Sequence, residues 1–268
     1  MTVDGSTRVF GVLGDPIAQV QAPRLLNTLF AELGRNAVLV PMHVRPDRLA
    51  ETVAGLRRIV NLDGLLVTVP HKVAVCGLAD RVSPTVAAAG SANALRREPD
   101  GSWLAENFDG TGFVAGLRHA GHEPAGRTVT LVGAGGAGAA IGVALLDAGV
   151  GRLAVHDVDA DRREDLVDRL ERHRPGIAVA TAEPALGDAD IAVNATPLGL
   201  REDDPLPFAP ESLRPGGLVA DIIMKPADTA LLRAAAARGY PIHYGRHMLE
   251  GQLDGYRAFF RLDTVTVH

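Results

Sequence analysis

The chain has 268 residues, 47% of them hydrophobic, and a formal net charge of −5. That length suits two domains with real cores. The acidic balance offers no basic footprint for nucleic acid, and no apolar run approaches the roughly 18 residues that would suggest a membrane span. The start, Met1-Thr2-Val3-Asp4, lacks a basic segment followed by an apolar signal core. Cys76 is the single cysteine, so no intrachain disulfide can form and a cytoplasmic setting is expected. The nine histidines show no HExxH or paired-ligand spacing, which leaves a metal site unsupported.

In chain order, strand and helix patterns alternate. Residues 9–13 are an apolar strand ending at Gly14-Asp15-Pro16. Residues 23–33 place Leu25, Leu26, Leu29 and Leu33 on one helical face and stop at Gly34. A second strand is expected over 37–44 and a second amphipathic helix over 47–59. The continuous apolar run 64–69 suits a strand buried in a parallel sheet. Residues 92–95 and 103–107 flank Glu98-Pro99-Asp100-Gly101-Ser102, a hairpin turn. Gly121 to Gly126 reads as a linker. Beyond it come strands at 128–132, 152–156, 177–180, 191–194 and 218–223, helices at 137–148 and 159–173, and a long helical stretch from Gly245 to Arg261.

Residues 129–138, Val-Thr-Leu-Val-Gly-Ala-Gly-Gly-Ala-Gly, carry the strongest signal. Gly133 permits a tight turn out of the strand, Gly135 lets backbone approach a pyrophosphate, and Gly138 allows close helix packing. With Gly136 and Ala137 they open a helix whose N-terminal N–H groups and dipole suit phosphate. A second strand then ends in Asp157, 24 residues after Gly133, near the offset expected of a ribose-binding carboxylate. A carboxylate there accepts from both ribose hydroxyls of NAD and repels the 2′-phosphate of NADP. Arg162 and Arg163 follow and offer a possible offset, within a mixed-charge run that otherwise reads as a solvated helix face. NAD is therefore favoured over NADP.

Three further groups could carry chemistry. In Val67-Thr68-Val69-Pro70-His71-Lys72, the lysine lies beyond the carboxyl edge of a strand, where open α/β sheets place ligands. It can protonate a carbonyl oxygen that becomes an alkoxide, or take the proton back; a lone lysine otherwise reads as surface charge. In Asn107-Phe108-Asp109-Gly110-Thr111-Gly112-Phe113, Asp109 reads either as a helix N-cap or as the carboxylate that tunes Lys72. Gln252, on the C-terminal helical stretch, and Asn93, in Gly90-Ser91-Ala92-Asn93, read either as ordinary polar residues or as ligand contacts. An active site between two α/β lobes is expected.

Taken in order, GDPI, VTVPHK, SAN, NFDGTGF, GAGGAG, VNATPLG, DIIMKPADTALL and MLEGQ resemble the shikimate/quinate dehydrogenase family over nearly the whole chain. The resemblance implies a two-domain α/β protein: an N-terminal α/β substrate domain (1–108), a Rossmann-type NAD(P)-binding domain (109–244), and a C-terminal helical segment (245–268) returning to the first. It implies Lys72 as the catalytic lysine and Asp109 as its partner. Thr68, Asn93 and Gln252 would contact substrate hydroxyls, while Asn194, Ala195 and Thr196 would line the nicotinamide side. Asp157 stands where NADP-specific members begin an Asn-Arg-Thr signature. The implied partner is a small polyol or ring acid, the protein a monomer or homodimer.

The departures concern one end of the substrate. Val20 and Ala22 replace the two serines of a Ser-x-Ser-Pro run, Leu66 replaces an asparagine, and Met224 a tyrosine. Hydrogen bonds to a charged group contribute roughly 1.5–3 kcal/mol each. Losing two costs roughly 3–6 kcal/mol, about two to four orders of magnitude in affinity. The expectation is an NAD(P)-dependent oxidoreductase with retained redox chemistry and a substrate whose carboxylate is absent, masked or replaced. The alternatives are a genuine shikimate or quinate dehydrogenase in which Gln19 or Gln21 compensates, and a nucleotide-binding sensor without turnover. A folate-type dehydrogenase lacks motif support.

Overall fold

A computed structural model describes residues 3–263. In chain order its strands and α-helices are β1 (Arg8–Gly14), α1 (Ala22–Glu32), β2 (Ala37–His43), α2 (Leu49–Leu56), β3 (Leu62–Val67), β4 (Arg81–Val82), α3 (Pro84–Ala89), β5 (Ala94–Arg97), β6 (Trp103–Glu106), α4 (Asp109–His119), β7 (Thr128–Val132), α5 (Gly136–Asp147), β8 (Arg152–His156), α6 (Ala160–His173), β9 (Ala178–Ala180), β10 (Ile191–Asn194), β11 (Leu218–Asp221), α7 (Ala230–Ala237), β12 (Ile242–His243), α8 (Arg246–Glu250) and α9 (Leu253–Phe259). The α/β class expected from the alternation is the one found. None of the described helices is long and apolar enough to cross a membrane.

The chain divides into two compact units, 1–108 with 253–268, and 109–252. The first holds a mixed sheet in the order β2-β1-β3-β5-β6-β4. Strands β2, β1 and β3 run parallel, and β5 and β6 form the antiparallel hairpin, with Arg97 opposite Trp103. Leu13, Leu62, Leu65, Leu95 and Trp103 pack its core on one face. On another, Phe10 meets Phe30 and Phe260 at ring distances of 5.1 and 5.2 Å. Helix α1 begins with proline in its first turn and buries Ala22, Leu26 and Phe30; of the leucines expected on its inner face only Leu26 is fully buried, while Leu25, Leu29 and Leu33 are half-buried.

The second unit is an all-parallel sheet in the order β12-β11-β10-β7-β8-β9. Numbered from β7, that is the 3-2-1-4-5-6 order of a dinucleotide fold, with its reversal between β7 and β10. Leu131, Leu153, Val155 and Val193 are fully buried, as strands covered on both faces require.

Three expectations need correction. The helix expected at 47–59 opens as a 3-10 turn, Pro46–Arg48, before α2 proper; a proline sits easily in such a first turn. The long C-terminal helix is two helices, α8 and α9, broken at Gly251-Gln252. Residues 245–252, placed above with the substrate domain, group with the second unit, because α8 packs on α4. A Cβ on Gly251 would lie 2.4 Å from the Gly112 carbonyl oxygen, so the two backbones touch. Helices α3 and α7 were not anticipated; both begin with a Ser or Thr cap, Ser83 and Thr229, whose side chains accept from Val86 and Leu232 N–H.

Candidate active site

In the second unit, β7 runs into the glycine turn. Gly133 has φ +109 and donates its N–H to His156 O at 2.8 Å. Helix α5 starts directly after Gly135, and a Cβ on Gly138 would stand 2.0 Å from Gly133 O, so turn and helix are in backbone contact. Around Gly135 the opposite holds: a Cβ there would meet no atom within 4 Å. Gly136 and Ala137 are the first residues of α5, at the positive end of the helix dipole. The turn thus leaves open space at a helix N-terminus, the arrangement that suits an anion.

Asp157 is 8% exposed, and its carboxylate is already engaged. Oδ2 accepts from Ala134 N–H at 2.7 Å and Oδ1 from Asp159 N–H at 2.9 Å. Each oxygen keeps a further lone pair for a hydroxyl donor. Arg162 is ion-paired with Asp159 at 3.3 Å and Arg163 with Glu164 at 2.8 Å, so both arginines have acidic partners of their own. Val158, the next residue, is 95% exposed beside this acid. An apolar residue directly after the second strand's acid was the signal that could have found it.

Across the strand reversal, Asn194 ends β10. Its Oδ1 accepts from Thr196 N–H and Oγ1 at 3.0 and 2.7 Å, and its Nδ2 donates to Leu198 O at 3.1 Å. The same Nδ2 reaches Asp221 Oδ1 at 3.2 Å. Asp221 also accepts from Ile223 N–H at 3.0 Å and from the Thr229 hydroxyl at 2.8 Å. Burial pushes its carboxyl pKa up. Met224 follows Ile223, half-buried.

Asp109 opens α4 and is 3% exposed. Gln252 lies in the turn between α8 and α9, 2% exposed, and its Nε2 donates to Asp109 Oδ1 at 3.3 Å. Gly112 makes this approach possible: a Cβ there would stand 2.5 Å from both Gln252 Cγ and Met248 O. Asp109 and Gln252, 143 positions apart, therefore share one hydrogen bond inside the second unit.

In the first unit, Thr68 and Lys72 follow β3. Backbone bonds fix this segment: Thr68 N–H to Leu13 O at 2.9 Å, Asp15 N–H to Val69 O at 3.0 Å, and Ala92 N–H to Lys72 O at 2.8 Å. His71 is buried with Nε2 2.7 Å from Val44 O. Asn93 is 2% exposed; Oδ1 accepts from Phe108 N–H at 2.9 Å and Nδ2 donates to the Tyr256 hydroxyl at 3.2 Å. Leu66 and Ala22 are buried and Val20 is half-buried. The Gln19 amide donates to Pro16 O at 2.8 Å and the Gln21 amide to Gln19 O at 3.0 Å, so the nitrogens of both glutamines serve the local backbone.

Comparison with known proteins shows the family and the fold. Residues 12–95 match the model of the shikimate dehydrogenase substrate binding domain. The chain is 42% identical over 266 residues to the shikimate dehydrogenase (NADP(+)) of Rubrobacter xylanophilus, covering 97% of this chain and 93% of that protein. Among solved structures, the ligand-free 5-ketofructose reductase of a Gluconobacter strain superposes with a TM-score of 0.82 at 28% identity, over 94% of this chain and 92% of that one. The quinate dehydrogenase of Corynebacterium glutamicum in complex with NAD gives 0.82 at 28% identity, over 96% and 94%.

Proposed function

The chain belongs to the shikimate dehydrogenase family, and we propose that within it this protein is an NAD-preferring dehydrogenase for a small ring polyol or its ketone, with shikimate a poor substrate. One observation carries the substrate half. The resemblance implies that Val20, Ala22 and Leu66 stand where relatives of the shikimate-binding kind carry hydroxyls and an amide; here all three are apolar, and the neighbouring Gln19 and Gln21 amides donate to backbone carbonyls. A carboxylate brought to such a surface loses its water without gaining donors. 5-Ketofructose has no carboxylate, so the likeness to its reductase supports a substrate of this class.

The cofactor half rests on Asp157. Its charge disfavours a 2′-phosphate, and Arg162 and Arg163 have acidic partners. Gly133, Gly135 and Gly138, with Gly136 and Ala137, would hold the pyrophosphate in the open space beside Gly135, and Asp157 the ribose. Thr196 and Met224 would face the nicotinamide, which supplies or takes up the hydride, and Asn194, fully buried, would hold Thr196 through its amide oxygen. Lys72 is the proposed acid–base group, giving its proton to the ketone oxygen as the alcohol forms and recovering it in reverse. Asp109 is, as the resemblance implies, the proposed carboxylate partner of that lysine. Thr68, Asn93 and Gln252 would take the ring hydroxyls.

The 42% identity to a protein named shikimate dehydrogenase (NADP(+)) favours a second reading, in which shikimate and NADP are the true pair. Steady-state kinetics with shikimate, quinate, 5-ketofructose and uncharged cyclic polyols, each with both cofactors and with Lys72→Ala as control, separate the two. The proposal expects kcat/KM for an uncharged polyol or ketone at least a hundredfold above that for shikimate, and NAD(H) preferred. Saturation by shikimate at micromolar concentration overturns the substrate half; preference for NADP(H) overturns the cofactor half.

A further inference from the structure

We propose that Asp221 is the positioning residue of the nicotinamide half of the cofactor site, holding the loops that carry Thr196 and Met224 in one fixed arrangement. The inference rests on the dinucleotide reading given above and adds to it a residue that touches neither cofactor nor substrate.

Asp221 is the last residue of β11 and pairs in register with Asn194, the last residue of β10. Its side chain is 0% exposed. A carboxylate so placed is costly unless donors surround it, and three do, each from a different piece of chain. Asn194 Nδ2 belongs to the end of β10, Ile223 N–H to the turn after β11, and the Thr229 hydroxyl to the cap of α7.

From Asn194 the connection continues outward. The bonds from Thr196 to Asn194 Oδ1, from Asn194 to Leu198 O, and from Leu198 N–H to Thr196 Oγ1 at 3.1 Å shape the segment after β10, which has no strand or helix of its own. That segment rests on the glycine turn, since a Cβ on Gly133 would lie 2.7 Å from Ala195 C and O. On the other side, Ile223 N–H fixes the backbone one residue before Met224. A single carboxylate therefore sets the positions of both loops at the carboxyl ends of β10 and β11. These lie across the strand reversal from Asp157, where the second half of a dinucleotide extends.

The test separates the two halves of the cofactor. Asp221→Ala strands the Asn194, Ile223 and Thr229 donors; Asp221→Asn keeps one acceptor oxygen for Asn194 and Ile223. Asn194→Leu cuts the link from the other side and serves if Asp221→Ala does not fold. Each protein is titrated with NADH, NADPH and 5′-AMP, which reports the adenine half alone. For Asp221→Ala and Asn194→Leu the proposal expects the tighter-binding dinucleotide to weaken at least tenfold while 5′-AMP stays within about twofold. Asp221→Asn should fall between wild type and Asp221→Ala. Unchanged dinucleotide affinity overturns the proposal, and so does an equal loss for 5′-AMP, which marks a general structural role. Failure of the wild-type protein to bind either dinucleotide overturns the cofactor reading itself.

Discussion

Gly135 and Gly138, three positions apart in one loop, should respond to substitution in opposite ways. At Gly138 a methyl group would stand 2.0 Å from Gly133 O, and side-chain carbons essentially never come closer than 3.0 Å, so the start of α5 must withdraw by at least 1.0 Å. The obstacle is backbone, not the end of a flexible side chain, so relief requires moving the helix or the turn. Overpacking of this kind costs about 1–3 kcal/mol. For a unit of this size that corresponds to a fall in Tm of about 3–10 °C. At Gly135 nothing lies within 4 Å of the added carbon, and φ is −72. Gly135→Ser also places a preferred residue at the N-cap of α5, so stability should hold or rise slightly. Its side chain, however, enters the space proposed for the pyrophosphate. Thermal melts and NADH titrations of both variants give the comparison. Gly138→Ala should melt lower, and Gly135→Ser should melt as wild type yet bind the dinucleotide at least tenfold more weakly. A Gly135→Ser protein with wild-type affinity would refute the assignment of that space to the cofactor, and a Gly138→Ala protein with wild-type Tm would refute the packing argument.

Three other outcomes follow from the same structure. Asp157→Asn removes the charge but keeps an oxygen for a backbone N–H, so the ratio of NADP to NAD in kcat/KM should rise at least tenfold; an unchanged ratio would show that Asp157 does not select the cofactor. Val20→Ser with Ala22→Ser restores two hydroxyl donors, and by roughly 1.5–3 kcal/mol each should raise kcat/KM for shikimate roughly a hundredfold or more; no gain in shikimate kinetics would place the carboxylate elsewhere. His243 is 1% exposed with both ring nitrogens lacking a hydrogen-bond partner, and burial, reinforced by His247 and His122, lowers its pKa from 6.5 to about 4. The unfolded chain binds this proton more readily, so stability is intact above about pH 6.5 and falls as pH drops toward 4, by about 3 kcal/mol in all. In His243→Phe, which retains the ring packing on Phe113, urea titrations should show a shallower loss between pH 6.5 and 4; an identical slope would clear His243 of the effect.

Local sequence determined the parts whose physics is local. The leucine spacing marked α1, the hairpin turn marked β5 and β6, and the glycine loop with Asp157 marked a dinucleotide fold, because each depends on a period, a turn or a backbone conformation that neighbouring residues impose. Composition and motif order together were enough to indicate the family. Tertiary structure decided the rest. Gly112 and Gly251 look like loop glycines until α4 and α8 meet and each must lack a side chain for the other's backbone to approach. Beside that contact the C-terminal stretch divides into α8 and α9, and Gln252, between them, reaches Asp109. In sequence Asp221 is one acid within the strand expected at 218–223, and its three donors come from Asn194, Ile223 and Thr229, which only the parallel pairing of β10 with β11 and the return of α7 gather around it. His243 likewise gives no local sign that both its nitrogens are buried without partners. A residue's own neighbours in sequence set its backbone; what its side chain must satisfy is set by groups that the fold alone brings near, and in this protein the polar side chains are where that difference lies.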